Sequence, residues 1–149
     1  MSVPGILVHG TALVVGRHGV LVRGRSGSGK STLALDLLER AARAGRFARL
    51  VADDQVFLAR EGEALIARAP ATTVGLVELH GRGILTLAAE SAARIALLVD
   101  LVEPEAAERM PAETGLCGEI HGVVIARQPV PIGTRAPALI VEAALAALA

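Results

Sequence analysis

The residues best able to do chemistry lie together: Gly24-Arg25-Ser26-Gly27-Ser28-Gly29-Lys30-Ser31-Thr32. They fit G-x-x-x-x-G-K-[ST], the pattern of a phosphate-binding P-loop. The spacing has a physical reason. Glycine lets the backbone turn tightly, so that successive N–H groups converge on phosphate oxygens. A following helix adds the positive end of its dipole. Gly24, Ser26, Gly27, Ser28, Gly29, Lys30, Ser31 and Thr32 are therefore the expected nucleotide-binding set. Lys30 is placed to reach the β- and γ-phosphates, and the Ser31 hydroxyl to complete the coordination of Mg²⁺. Lys30 is also the only lysine in the chain, every other basic residue being arginine. A compact ammonium is not replaced by guanidinium at such a point.

A kinase built on this loop needs a carboxylate near the metal and another to accept the proton of the attacking hydroxyl. Asp53-Asp54 follows an apolar run, and the chain holds only four aspartates. The pair can divide the two roles, although aspartates are also common in solvated turns. Asp100, at the end of another apolar run, is the rival metal ligand in the manner of a Walker-B aspartate. His9 interrupts an apolar stretch. It reads as a structural histidine, or as one that tunes a neighbouring carboxylate. His18 and His121 each precede a glycine and read as surface turn residues, whereas His80 lies in a glycine-rich stretch that can touch a substrate.

These groups must be positioned by strands and helices. Residues 19–23 read as a buried strand before the loop. Residues 31–44 carry Leu33, Leu37, Leu38 and Ala41 at helical spacing after it. Strand, glycine loop and amphipathic helix is the order a P-loop requires. Residues 6–15 read as a strand interrupted at His9-Gly10-Thr11, pairing with the P-loop strand as a hairpin. Residues 47–52, 55–59 and 64–69 read as a three-stranded meander. Residues 75–85, with three glycines and interleaved charges, suggest a surface loop near a ligand. Residues 94–102 and 119–129 read as strands, and the polar, proline-containing 103–118 as a lid-like loop. Residues 137–149 read as a closing helix, with Thr134 as its cap and Pro137 in its first turn. That helix is apolar on nearly every side, with Glu142 its only charge, so it expects burial in a core, an oligomer or a partner.

At 149 residues and 52% hydrophobic, the chain expects one domain over 1–149 with an aliphatic core, since its only aromatic residues are Phe47 and Phe57. A formal net charge of zero argues against a nucleic-acid or membrane-surface binder. The single cysteine, Cys117, excludes an internal disulfide and a cysteine-rich metal site. The start of the chain lacks a signal-peptide pattern and no apolar run is long enough to span a bilayer, so the expectation is cytoplasmic.

The order of blocks is more specific than the loop alone. His9-Gly10, Gly19-Val20-Leu21 into the P-loop, Leu50-Val51-Ala52-Asp53-Asp54, and Glu78-Leu79-His80-Gly81-Arg82-Gly83-Ile84 together resemble the catalytic domain of the HPr kinase/phosphorylase family, in its short alphaproteobacterial form. Pro131-Ile132-Gly133-Thr134-Arg135 and Ile140-Val141-Glu142-Ala143-Ala144 look like its C-terminal segment. The resemblance implies an α/β P-loop fold of the phosphoenolpyruvate-carboxykinase-like type, a mixed sheet with a P-loop helix and a C-terminal helix. It implies ATP and Mg²⁺, phosphorylation of a serine on the phosphocarrier HPr, and in many members the reverse phosphorolysis. It also implies a homo-oligomer, often a hexamer. Carried over, Asp53, Asp54 and His9 are the catalytic set, and Ser31 with Asp54 the metal pair. The resemblance does not decide which aspartate does which job. Glu78, His80 and Arg82 form the substrate loop. The family usually has arginine where this chain has His80, which predicts weak or absent phosphorolysis. Two alternatives stand beside this reading: a P-loop kinase of a small hydroxyl compound, and a non-enzymatic nucleotide sensor.

Overall fold

The computed structural model describes residues 5–148; residues 1–4 of the expected N-terminal reading and Ala149 at the end of the expected helix lie outside them. Eleven strands and two α-helices are described: β1 (Ile6–His9), β2 (Thr11–Val15), β3 (His18–Arg23), α1 (Lys30–Arg43), β4 (Ala48–Ala52), β5 (Gln55–Glu61), β6 (Ala64–Arg68), β7 (Leu76–Leu79), β8 (Gly83–Thr86), β9 (Ala93–Val102), β10 (Cys117–Ile120), β11 (Val123–Pro131) and α2 (Pro137–Ala147). Nine strands make one mixed sheet in the order β1-β5-β6-β9-β3-β2-β4, with β11 joining β9 and β10 joining β11.

The centre of this sheet is β9. It pairs in parallel with β3 on one side and with β11 on the other, and its first residues pair antiparallel with β6. From Leu97 onward period-2 alternation sends its side chains to two cores, and Ile95 joins the second of them where the register with β3 shifts. Leu97, Val99 and Leu101 join Leu13, Val20, Val22, Leu33, Leu37, Val141 and Leu145 under the helices. Ile95 and Leu98 join Leu21, Val51, Val56, Leu58 and Ile125 on the other face, where the curled sheet closes over itself. This arrangement explains how a chain with two aromatic residues builds a core: Leu, Val, Ile and Ala fill both faces of one sheet.

Several local expectations are corrected. The stretch 6–15 is two strands, broken at Gly10, with β1 on β5 and β2 between β3 and β4. A Cβ at Gly10 would meet the Val22 carbonyl oxygen at 3.1 Å, so any larger residue at the break would crowd the backbone of β3. The expected meander is a hairpin of β5 and β6 only; β4 pairs with β2 because the chain reverses sharply at Asp53-Asp54. Residues 75–85 are a hairpin of β7 and β8 with Val77 buried, so this segment does contribute to the packed interior. The single strand expected over 119–129 is the hairpin of β10 and β11, turning at His121-Gly122. His121 has φ of 51° there, and its Nε2 is enclosed without a partner, so it is not a freely solvated surface residue. His18 opens β3 and is half-buried. Thr134 does not cap α2: the cap position is Ala136, with no side-chain hydrogen bond.

The helix α2 packs Ala138, Val141 and Leu145 into the core and leaves Leu139 exposed. Its Glu142 accepts from Arg40 on α1 and from Arg46 just beyond it, tying the two helices together. The segment 103–118 holds two 3₁₀ turns, Pro104–Ala106 and Glu113–Leu116. It is fastened at both ends, by Arg25 donating to Glu103 at 2.6 Å and Arg127 donating to the Gly115 carbonyl at 2.8 Å. Among the described residues no helix is long and apolar enough to cross a membrane.

Candidate active site

The parallel strands β3 and β9 end side by side, and the loop between β3 and α1 springs from that end. Crevices form at such carboxyl ends in α/β sheets. The turn is made by Gly27 and Gly29, with φ of 79° and 104°, a region only glycine enters without strain. Gly24 serves differently: a Cβ there would meet Ser28 Oγ at 2.6 Å and Leu101 Cβ at 2.9 Å. Lys30 begins α1 and is buried. Its Nζ donates to the carbonyls of Gly24 at 2.8 Å and Arg25 at 3.1 Å, so the ammonium lies folded back over the loop.

The end of β4 brings in the aspartates. Asp53 is 6% exposed. Its Oδ1 accepts from Ser31 Oγ at 2.6 Å and from Thr11 Oγ1 at 2.8 Å, and the Glu78 amide approaches Oδ2 at 3.4 Å. Asp54 turns the other way. It holds φ of 67°, a left-handed conformation that aspartate tolerates better than most residues. Its Oδ1 lies 3.5 Å from His9 Nδ1, with both side chains largely in solvent. The pairing is set by backbone: β1 lies against β5 with His9 opposite Gln55, and the Gly10 amide donates to the Asp54 carbonyl at 3.1 Å. Ser31 is thus partnered by Asp53, whereas Asp54 faces His9.

A cleft of about 440 Å³ collects His9, Ser26, Gly27, Gly29, Lys30, Ser31, Thr32, Asp53, Asp54, Glu78 and His80. Strands β1 and β4, the P-loop and the β7–β8 hairpin each supply part of its wall. Gly24 and Ser28 lie behind the loop. Arg82 is in the exposed turn of the hairpin and does not line the cleft.

The family model for the HPr Serine kinase C-terminal domain matches residues 3–149. The chain belongs to that family. A curated relative, the HPr kinase/phosphorylase of Halalkalibacterium halodurans, is 41% identical over 106 residues, which are 66% of this chain and 32% of that protein. The HPr kinase/phosphorylase of Limosilactobacillus reuteri is 34% identical over 148 residues, 92% of this chain and 44% of that protein. The chain therefore spans between a third and a half of the length of these relatives. Among solved structures, the Hpr(Ser) kinase/phosphatase from Coxiella burnetii matches 95% of this chain and 89% of its own, with a TM-score of 0.78 and 27% identity. The mixed sheet and C-terminal helix are thus those of an HPr kinase structure.

Asp100, the rival metal ligand, is engaged by two arginines. It lies opposite Arg23 in the parallel register of β3 and β9. Arg23 donates to it through Nε at 2.8 Å and through a second nitrogen at 3.1 Å, and Arg127 donates at 2.6 Å. Burial pushes the Asp100 carboxyl up, but the hydrogen bonds and charges of the two arginines outweigh it and hold the pKa below its ordinary value. Asp100 is a neutralised strut below the P-loop, occupied on both sides. Two partners of the aspartates escape sequence reasoning, Thr11 for Asp53 and Arg127 for Asp100. Thr11 was visible as a polar residue in an apolar strand. Arg127 carried no signal, because its partner is 27 positions away in sequence.

Proposed function

We propose that this chain is a P-loop protein kinase domain, 1–149, that transfers the γ-phosphate of ATP to a serine of an HPr-type phosphocarrier. The observation that carries the reading is the cleft itself, which collects one ammonium, three P-loop hydroxyls and two aspartates of different surroundings. The names of the relatives, HPr kinase/phosphorylase, support HPr as the acceptor. The phosphoenolpyruvate-carboxykinase-like variety of P-loop fold is part of the same proposal, as are a cytoplasmic location and a homo-oligomer. For the oligomer the support is the 62% exposed Leu139 on α2.

The donor set fits Mg²⁺. Ser31 Oγ and Asp53 Oδ1 are two adjacent hard oxygens 2.6 Å apart. Mg²⁺ is held by one or two protein oxygens together with phosphates and water, and needs no protein cage. Ser31 and Asp53 would hold it, and when bound it would neutralise charge on the phosphates. Lys30, released from the Gly24 and Arg25 carbonyls, pairs with phosphate oxygens, and the amides of Gly27 and Gly29 add donors. Asp54, outside the hydroxyl network of Asp53, is the free carboxylate facing the open cleft. It accepts the proton of the serine hydroxyl as that oxygen bonds to the γ-phosphorus. The bond to the bridging oxygen breaks, and ADP leaves with the electron pair. His9 positions Asp54 and shares the proton's charge.

Incubation with HPr, radiolabelled ATP and Mg²⁺ tests this. Labelled phosphoserine on HPr is the expected product. ATP binding without transfer to HPr, but with transfer to a small hydroxyl compound, would favour the small-molecule kinase.

A further inference from the structure

Strand β2 begins with a residue that does not match the rest of it. Ala12, Leu13, Val14 and Val15 are apolar and buried, whereas Thr11 ahead of them carries a hydroxyl and has no exposed surface. Valine has nearly the same shape and would fill the place without burying a polar group. The register shows where the hydroxyl goes. Ala12 of β2 lies across from Ala52 of β4, so one step on along each strand Thr11 stands beside Asp53. Thr11 Oγ1 donates to Asp53 Oδ1 at 2.8 Å, and among the described residues its side chain makes no other hydrogen bond. Asp53 Oδ1 accepts a second hydroxyl, Ser31 Oγ, at 2.6 Å. The two donors are not equivalent. Ser31 is half-buried and lines the cleft of the P-loop; Thr11 is sealed behind it and does not. Ser31 can turn toward a ligand, and Thr11 cannot.

We infer that Thr11 is a positioning residue of the metal site, the fixed anchor that keeps Asp53 aimed when Ser31 gives its oxygen to the cation. The inference rests on the proposed nucleotide function and deepens it. A hydroxyl oxygen that coordinates Mg²⁺ must follow the strict geometry of the ion. In that state Ser31 no longer dictates where the Asp53 side chain lies, and Thr11 does. The remaining donor is weak, since the Glu78 amide approaches Oδ2 only at 3.4 Å. Thr11 is therefore the strong donor to Asp53 that stands outside the cleft. Groups that orient a metal-binding side chain without touching the metal commonly set its affinity. The chemistry of the anchor also suits a cation. Asp100 shows the alternative, because its two arginines hold it firmly and neutralise it. A hydroxyl orients Asp53 and leaves the negative charge for the metal.

ATP titrations in EDTA and in saturating Mg²⁺ test the assignment, the ratio of the two affinities being the gain that the metal supplies. Wild-type protein should show a gain of at least about tenfold. Thr11→Val removes the hydroxyl and keeps the branched shape. It should lose most of that gain, since partners of metal-binding groups contribute roughly 10- to 100-fold. Its affinity in EDTA should stay within about twofold of wild type, which shows that the variant is folded. Thr11→Ser and Thr11→Ala repeat the comparison without the methyl group. The serine variant should keep the gain within about twofold, and the alanine variant should lose it. Valine and alanine variants with the wild-type gain would overturn the role of Thr11 and leave the P-loop reading intact. Equal losses in the serine and alanine variants would overturn it as well, because the methyl contact and not the hydroxyl would then be what matters. A wild type that binds ATP with no gain from Mg²⁺ would overturn the metal site, one that binds no ATP would overturn the nucleotide function, and this inference would go with either.

Discussion

His9 Nδ1 lies 3.5 Å from Asp54 Oδ1, and the contact joins the end of β1 to the reversal after β4. Both side chains are 72% exposed, so the pair contributes little to stability. Its position in the cleft therefore calls for a chemical test. Asp54→Asn keeps a residue that tolerates the left-handed backbone, and it removes only the basic oxygen. It should lower kcat by about 10²- to 10⁴-fold, the usual contribution of a general base. ATP affinity should stay within about twofold, and the melting temperature should not move. His9→Ala should lower kcat by about tenfold, less than the loss of the base itself because His9 acts only through Asp54. Steady-state kinetics with HPr beside ATP titration decides this; equal loss of binding and turnover would remove the base from Asp54.

Asp53 predicts a different phenotype. Its carboxylate is buried and accepts from two hydroxyls, Ser31 and Thr11, and among the described residues it forms no ion pair. Asp53→Asn preserves an acceptor oxygen and removes an isolated buried charge. Stability should be unchanged or raised by about 1 kcal/mol, as when a strained functional group is relieved. Mg²⁺-dependent ATP binding should weaken by at least about tenfold, which corresponds to about 1.4 kcal/mol. Thermal melting and calorimetric titration with and without Mg²⁺ separate the two effects. A destabilised variant with normal metal dependence would make Asp53 a structural anchor instead.

How far the sequence carried these assignments differs from one part to the next. The glycine loop, its strand and its helix were legible because their determinants are contiguous: a glycine spacing, then a 3.6-residue period. The adjacency of the two aspartates was legible, but not the different surroundings of each. Their surroundings come from Thr11, Ser31 and His9, which neighbour them only after β1, β2 and β4 have paired. The meander failed for a related reason, since strand order is a long-range property and β4 pairs with β2, far earlier in the chain. Asp100 stayed open as a rival because an aspartate ending an apolar strand looks the same whether its partner is a metal or two arginines.

Those two arginines predict a pH dependence of stability. The folded Asp100 pKa lies below its ordinary value of about 3.9. A carboxyl depressed in the folded state stabilises fully above its unfolded pKa, and the contribution fades as pH falls through the folded value. Asp100→Asn should therefore cost about 2 kcal/mol at pH 7, the scale of hydrogen bonds to a charged group. The difference from wild type should shrink as pH falls below about 3.9. Urea unfolding of both proteins at several pH values measures it. A difference that stayed constant down to strongly acid pH would mean that packing, not charge, is what Asp100 supplies.

His80 lines the cleft beside Glu78, whereas Arg82 sits in the turn of the β7–β8 hairpin outside it. Phosphorolysis requires a phosphate anion to be held while it attacks phosphoserine, forming pyrophosphate and returning the serine hydroxyl. A guanidinium supplies a permanent charge and a two-pronged donor for that anion; an imidazole supplies neither. The only lysine is already committed to the P-loop. The forward kinase reaction, whose phosphates arrive on the nucleotide, needs no such extra grip. Phosphorolysis should accordingly be slower than phosphorylation, and His80→Arg should raise the ratio of the two by about tenfold, on the scale of one charge-assisted hydrogen bond of about 1.4 kcal/mol. Pyrophosphate release from phospho-HPr, compared with ATP-dependent phosphorylation of HPr under the same conditions, measures the ratio. Equal turnover in the two directions for the wild type would show that another group holds the anion, and the exposed Arg82 would be the next residue to replace.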